Sequence, residues 1–332
     1  MTRISMTRIS MMGTGEPHAA ELLSQRGRGT DDVTGTAEPE VLNGRVAQVG
    51  TLTVRRNLPT RGRRTVGAWC FVDHMGPTSV ADRAGMQVPP HPHMGLQTVT
   101  WLFAGSAVHR DSLGSEQLIR PGQLNLMTAG SGIAHAEEDP RLTGPGSSRS
   151  ELHGMQLWVA QPSTTRNAAG AFEHHPDLPR IDLAGATATV LVGSFAGTTS
   201  PARRDTDHLG VELDLRAGTT VLPLDPAHEH AVIVADGRPS VNGTPVGPEV
   251  LAYLAPGADE LVMDTPEPAR VLLIGGTPFD EDVVMWWNFV ARTRDELVDA
   301  YRDWVAGDER FGPVASSLDR VGVGPPPWLP AD

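Results

Sequence analysis

HPHMGLQTVTWLFAGSAVHRDSLGSEQLIRPGQLNLMTAGSGIAHAEE, residues 91–138, decides how the whole chain folds. Short runs rich in Val, Thr, Ile and aromatic residues (LQTVTWLF, LNLMT, GIAHAEE) are broken by turn residues at AGSA, DSLG, RPG and AGSG. That pattern predicts antiparallel strands joined by tight turns. Within it His91 and His93 are two residues apart, and so are His135 and Glu137. Successive side chains on a strand point to opposite faces, so each pair presents both members on one face. On neighbouring strands the two pairs bring three imidazoles and one carboxylate together. Pro92, which has no amide proton, stiffens the first pair.

The same texture extends in both directions. From about residue 46 come VAQVGTLTV and GAWCFVDH, and after the central stretch MQLWVA. Residues 161–183 form a candidate connector, after which strand texture resumes with ATVLVGSF, GVELDL, TTVLPL, HAVIVADG, EVLAYLAPG, ELVMD and ARVLLIGG. Asp236-Gly237 and Asn242-Gly243 are hairpin signals. The second half repeats the pattern of the first, including a His-x-His at His228 and His230, which predicts an all-β chain of two tandem antiparallel barrels. One helix is signalled near the end. Thr293 and Glu296 have the spacing of a capping box, Leu297, Val298, Tyr301, Trp304 and Val305 follow on one face, and Gly307 closes it. The expected division is a disordered leader over 1–45, which contains MTRIS twice, an N-terminal barrel over 46–165, a C-terminal barrel over 166–283, and a helix with a Pro-rich tail over 284–332.

Composition narrows the function. The chain has 332 residues, and its 27 basic against 40 acidic residues give a formal charge of −13. Such a balance opposes direct nucleic-acid binding, which needs clustered cations. All the basic residues are Arg, so chemistry that needs a lysine, such as a Schiff base or a P-loop, is excluded. The single cysteine, Cys70, permits no intramolecular disulfide and no Cys-built metal site, and its apolar neighbours mark it as a buried hydrophobe. The start lacks the apolar core of a signal peptide, and no apolar run is long enough for a membrane helix, so a cytoplasmic location is expected.

His91, His93, His135 and Glu137 suit one divalent first-row metal. On a six-coordinate ion they leave two positions open, whereas tetrahedral zinc would be closed by the same four ligands. HRDSLG, residues 109–114, reads as a hairpin tip in which Asp111 and Ser112 bond local backbone. The Arg55, Arg56, Arg61, Arg63 and Arg64 cluster reads as a solvated loop, and the C-terminal His228-Glu229-His230 as a site lacking its distant partner.

The 91–138 stretch, with DHMGP at 73–77, LHGMQLWVAQP at 152–162, and MWWNFVARTRDELVDAYRDW followed by ERFGP over 285–313, resembles the pirin family of the cupin superfamily. The resemblance implies a bicupin with one metal in the N-terminal barrel, held by His91, His93, His135 and Glu137, most readily Fe(II), with Cu, Ni, Mn and Zn as alternatives. Many cupins carry a Glu four residues after the second His; here Gln97 stands there, leaving it a pocket or supporting role. Some pirin-like proteins act as quercetin 2,3-dioxygenases. This implies a small aromatic substrate and O₂ as partners, with Glu137 as the catalytic base and Leu96, Val99, Trp101, Leu126 and Met127 at the barrel mouth in part. The resemblance also implies an alternative, ranked second: a non-enzymatic, iron-binding redox sensor that acts through a protein partner.

Overall fold

The computed structural model describes residues 37–50, 52–79, 86–140 and 151–329. Two units of one design account for nearly all of it. In the first, a seven-stranded antiparallel sheet runs in the spatial order Ala171–His175, Leu124–Thr128, Leu96–Ala104, Glu151–Ala160, Trp69–Ser79, Leu52–Leu58, Arg45–Val49. Against it lies a four-stranded sheet, Gln87–His93, Ile133–Glu138, Ala107–Asp111, Glu116–Ile119. The second unit again has seven strands and four. Its larger sheet runs Glu40–Asn43, Val250–Leu254, Glu229–Asp236, Ala269–Gly276, His208–Leu215, Ala186–Val192, Arg180–Leu183. Its smaller sheet is Gly218–Pro223, Glu260–Thr265, Ser240–Val241, Thr244–Pro245. The internal duplication is therefore present, as two jelly-roll-like units. The sheets keep free edges and do not close into continuous barrels.

Alternation explains the three apolar layers. Leu102 and Val54 of the first large sheet pack on Val88, Ala107 and Ile119 of its small sheet, closing one interior. Val211, Leu213 and Leu273 meet Leu222, Leu261 and Met263 in the other. The opposite faces of the two large sheets pack on each other, with Val99, Trp101, Leu126 and Leu157 against Ile233, Leu251, Leu272 and Ile274. Each large sheet is thus apolar on both faces. Trp69 and Trp101 carry polar atoms into that shared layer and both are satisfied: Trp69 Nε1 donates to the Leu209 carbonyl at 3.0 Å, and Trp101 Nε1 to Glu212 Oε2 at 3.0 Å. Asn242 and Gly243 both have positive φ, 47° and 80°, as the two-residue turn before Thr244–Pro245 demands.

Three boundaries differ from the sequence reading. Residues 1–36 of the expected leader lie outside the described residues, but Glu40–Asn43 is a strand paired with Val250–Leu254 of the second unit. Its register, Val41 opposite Ala252, supplies partners for an edge that the second unit's own later strands leave open. Ala171–His175, expected in the connector, is an edge strand of the first sheet, bonded to Leu124–Thr128. The segment after 284 is more than a helix and tail, because a hairpin, Val284–Trp286 and Phe289–Ala291, precedes the helix and docks on the first unit.

The helix Arg294–Ala306 has Thr293 at its N-cap, accepting from the Glu296 amide, and Gly307 in the left-handed conformation at its C-cap. Glu296 does not reach back to Thr293 as a full capping box would. Its carboxylate instead accepts from the Arg292 amide and pairs with Arg166. Leu297, Val298 and Trp304 are buried as the periodicity predicts, while Val305 is exposed. Past the helix, the chain runs over the first unit. The Ala134 amide donates to the Phe311 carbonyl, and the Val321 amide to the Pro90 carbonyl.

Candidate metal centre

The site forms where the two inner sheets of the first unit meet. Ile133–Glu138 is the pivot, pairing on one side with Gln87–His93 and on the other with Ala107–Asp111. Across the first pairing His135 lies opposite His91; across the second, His135 lies opposite Asp111 and Glu137 opposite His109. Directly opposed residues share a face. One face of three adjacent strands therefore carries His91, His93, His135, Glu137, His109 and Asp111.

His91, His93 and His135 each offer a nitrogen within 4.8 Å of the others. The Nε2 atoms of His93 and His135 are 3.0 Å apart. The Nδ1 atoms of the first pair point away to backbone oxygens: His91 Nδ1 donates to the Pro89 carbonyl at 2.9 Å, and His93 Nδ1 to the Asn288 carbonyl at 3.2 Å. A carbonyl only accepts, so both imidazoles are fixed as the Nδ1–H tautomer and turn the Nε2 lone pair inward. Burial lowers all three pKa values, that of His91 to about 4, with the neighbouring imidazoles adding to the effect on His93 and His135. Neutral imidazoles with converging lone pairs are what a divalent ion requires, so the residues fit a bound metal.

Glu137 is held slightly apart from the three histidines. Its carboxylate, His109 and His135 form a second, overlapping group with ligand atoms within 4.8 Å. Thr100 Oγ1, from the facing sheet, donates to Glu137 Oε1 at 3.2 Å. Burial raises the pKa of Glu137, only partly offset by His109 and Thr100. His135 thus belongs to both groups; Glu137 is grouped with His135 and His109, and His91 and His93 with His135.

His109 was not anticipated as part of the site. It is 3% exposed, stacks on Phe172 with centroids 4.4 Å apart, and sits 3.3 Å from His135. Its only sequence signal is the H-x-D spacing with Asp111, which reads equally well as turn chemistry. Gln97 is not in the pocket. It shares the face of Val99 and Trp101, towards the second unit, and donates to Thr128 Oγ1 at 3.0 Å. For the same reason Val99, Trp101 and Leu126 do not line a barrel mouth: they lie in the layer between the units. Met127, packed with Ile133 and Phe172, does face this side. His174 bonds Asn125, and Arg56 and Arg63 of the basic cluster are paired, with Asp73 and Glu40 respectively.

In the second unit His228 pairs with Asp207 at 3.1 Å, while Glu229 turns to the inter-unit layer and accepts from Tyr253 Oη at 2.7 Å. Among the described residues, the groups with three converging ligand atoms both lie in the first unit.

The order of the two units agrees with what known proteins show. The pirin family model matches residues 51–159, and that of the pirin C-terminal cupin domain matches 210–312. The chain belongs to the pirin family. A Pseudomonas aeruginosa pirin relative, named a "putative quercetin 2,3-dioxygenase", is 46% identical over 290 residues, covering 86% of this chain and 89% of its own. A pirin-like protein of Caulobacter vibrioides is 36% identical, covering 80% of this chain and 93% of its own. Among solved structures, a quercetin 2,3-dioxygenase of Acinetobacter baumannii superposes on this pirin with a TM-score of 0.83 at 42% identity, covering 89% of this chain and 97% of that one. No helix among the described residues of this pirin is long and apolar enough to cross a membrane.

Proposed function

We propose that this pirin is a metal-dependent dioxygenase that opens the ring of a flavonol or a related enol or catechol with O₂. One divalent ion, Fe(II) foremost, would be held by His91, His93, His135 and Glu137. The observation that carries the reading is the convergence of three neutral imidazole nitrogens beside one buried carboxylate. The names of the Pseudomonas and Acinetobacter relatives support the substrate class. An Escherichia coli pirin with the same fold is known in complex with nickel(II), in keeping with a metal-binding reading.

When bound, the ion supplies Lewis acidity that lowers the pKa of a coordinated hydroxyl. The chain's own residues supply the rest. The Pro89 and Asn288 carbonyls hold the His91 and His93 rings in place. Glu137, steadied through Oε1 by Thr100, accepts the proton of the substrate hydroxyl. Its buried setting excludes water, which would otherwise compete for that proton. Phe172, stacked on His109, and Trp158, edge-on to His93 at 5.1 Å, give an aromatic substrate apolar surface near the imidazoles.

The test is reconstitution with Fe(II), Ni(II), Mn(II), Cu(II) or Zn(II) in turn, with metal analysis and an oxygen electrode on a panel of flavonols. One equivalent of metal, with O₂ uptake that tracks the loss of flavonol absorbance, is expected. A stoichiometrically loaded protein that turns over no flavonol, enol or catechol would overturn the reading.

A further inference from the structure

His91 and His93 have their tautomers fixed by backbone carbonyls, but His135 does not. The partner of its Nδ1 is another imidazole nitrogen, His109 Nδ1 at 3.3 Å. Two imidazoles can share one proton in either direction, so this contact alone leaves the His135 tautomer undecided. The decision lies one residue further on. His109 Nε2 is 3.0 Å from Asp111 Oδ2, and a carboxylate only accepts. Asp111 is itself held, because its Oδ1 accepts from the Leu113 amide at 2.9 Å and the Ser115 amide at 3.0 Å.

We infer that Asp111 and His109 form a positioning relay that sets the tautomer of the metal-ligating His135. Asp111 fixes the His109 proton on Nε2, so His109 Nδ1 accepts. His135 can then carry its proton on Nδ1, donated to His109, which leaves its Nε2 lone pair for a metal ion that His93 Nε2 would share. The stack of Phe172 on His109, with planes 13° apart, holds the relaying ring in plane. The HRDSLG turn therefore does more than turn the chain: the carboxylate that ties its backbone also ends the relay. The inference rests on the metal reading above, extends it to two residues outside the proposed ligand set, and is testable apart from it.

Asp111→Asn provides the test, because the two backbone amides hold the side-chain oxygen and leave the Nδ2 amide to face His109. That amide donates, which inverts the relay: His109 must carry its proton on Nδ1, and His135 must move its own to Nε2. In the metal-free full chain the His93 Nε2 lone pair, 3.0 Å from His135 Nε2, also competes for the His135 proton, so the readout is His109: with ¹⁵N-labelled histidine, long-range ¹H–¹⁵N correlation is expected to show it as the Nε2–H tautomer in the wild type and as Nδ1–H in Asp111→Asn. With Ni(II) as probe, competition titration should show affinity falling ~10–100-fold, the usual cost of disrupting an outer partner of a ligating imidazole. His109→Phe keeps the stack on Phe172 and removes the relay without inverting it, so it should weaken Ni(II) binding less than Asp111→Asn. A role confined to the turn predicts the opposite, Asp111→Asn leaving the His109 tautomer unchanged and both variants leaving Ni(II) affinity unchanged, and that result would overturn the relay. If the wild type binds no Ni(II), the metal reading fails, while the tautomer measurement still decides the relay.

Discussion

Arg110 Nη1 meets Glu138 Oε2 at 2.7 Å on the face of the pivot strand that points away from Glu137. Two adjacent glutamates thus have separate roles: Glu137 stands beside the imidazoles, and Glu138 joins Arg110 and Ser316 of the C-terminal segment. Glu137→Gln is expected to lower turnover by ~10²–10⁴-fold, the usual worth of a general base. Glu138→Gln should leave turnover per bound metal unchanged and instead lower stability by about 1.5–3 kcal/mol, because a bond to a buried charged group is weakened. Steady-state kinetics and thermal unfolding on the two variants check both halves; equal losses of turnover would remove Glu137 as the base.

His93 is 1% exposed and its ring lies among imidazoles and Trp158, apart from the apolar layers. His93→Ala should therefore abolish stoichiometric metal binding while the chain still folds. Metal analysis beside circular dichroism checks this, and a variant that retained one equivalent would exclude His93 as a ligand.

Gly95 follows the first histidine pair in the left-handed region, φ 71°, and a Cβ there would collide with the Val290 carbonyl of the C-terminal hairpin. Gly95→Ala should cost at least about 1–2 kcal/mol from backbone conformation alone. It should also weaken metal binding, because displacing the hairpin moves the Asn288 carbonyl that orients His93. Calorimetry and metal titration on the one variant separate the two effects.

Glu212, in the layer between the units, has its pKa raised to about 7 by burial, against the opposing pull of Arg270. The folded chain therefore holds this proton more tightly than the unfolded chain. Its stabilising contribution is full below about 4.5 and is lost as pH rises through about 7. Glu212→Gln mimics the protonated form and can keep the Trp101 bond. It should be neutral near pH 5 and more stable than the wild type at pH 8, by on the order of 2 kcal/mol. Unfolding midpoints at the two pH values check the sign.

The strands and the His91, His93, His135 and Glu137 pairs were legible because a period of two is local and two neighbouring residues reveal it. Which face looks inward was not. Alternation does not tell which way Gln97, Val99 and Trp101 face, because a strand between two apolar layers alternates without naming its partners. His109 joins His135 only through a register between strands, and its sequence neighbours give a complete account of it as a turn residue. Glu40–Asn43 looks like the end of a leader because its partner strand, Val250–Leu254, lies at the far end of the chain. The relation of Asn288 to His93 was invisible for the same reason.

The two units exchange ends: Glu40–Asn43 completes the second, while Phe289–Ala291 and the stretch through Val321 cover the first. During synthesis on the ribosome, the imidazoles of the first jelly roll emerge long before Asn288, whose carbonyl orients one of them. Until translation passes that point, the nascent chain carries a cluster of histidines whose orientation is unfinished. A metal ion arriving earlier would meet a His93 ring without its backbone partner. A gene cut between the two jelly rolls would yield neither half intact, since each fragment would lack a segment encoded in the other.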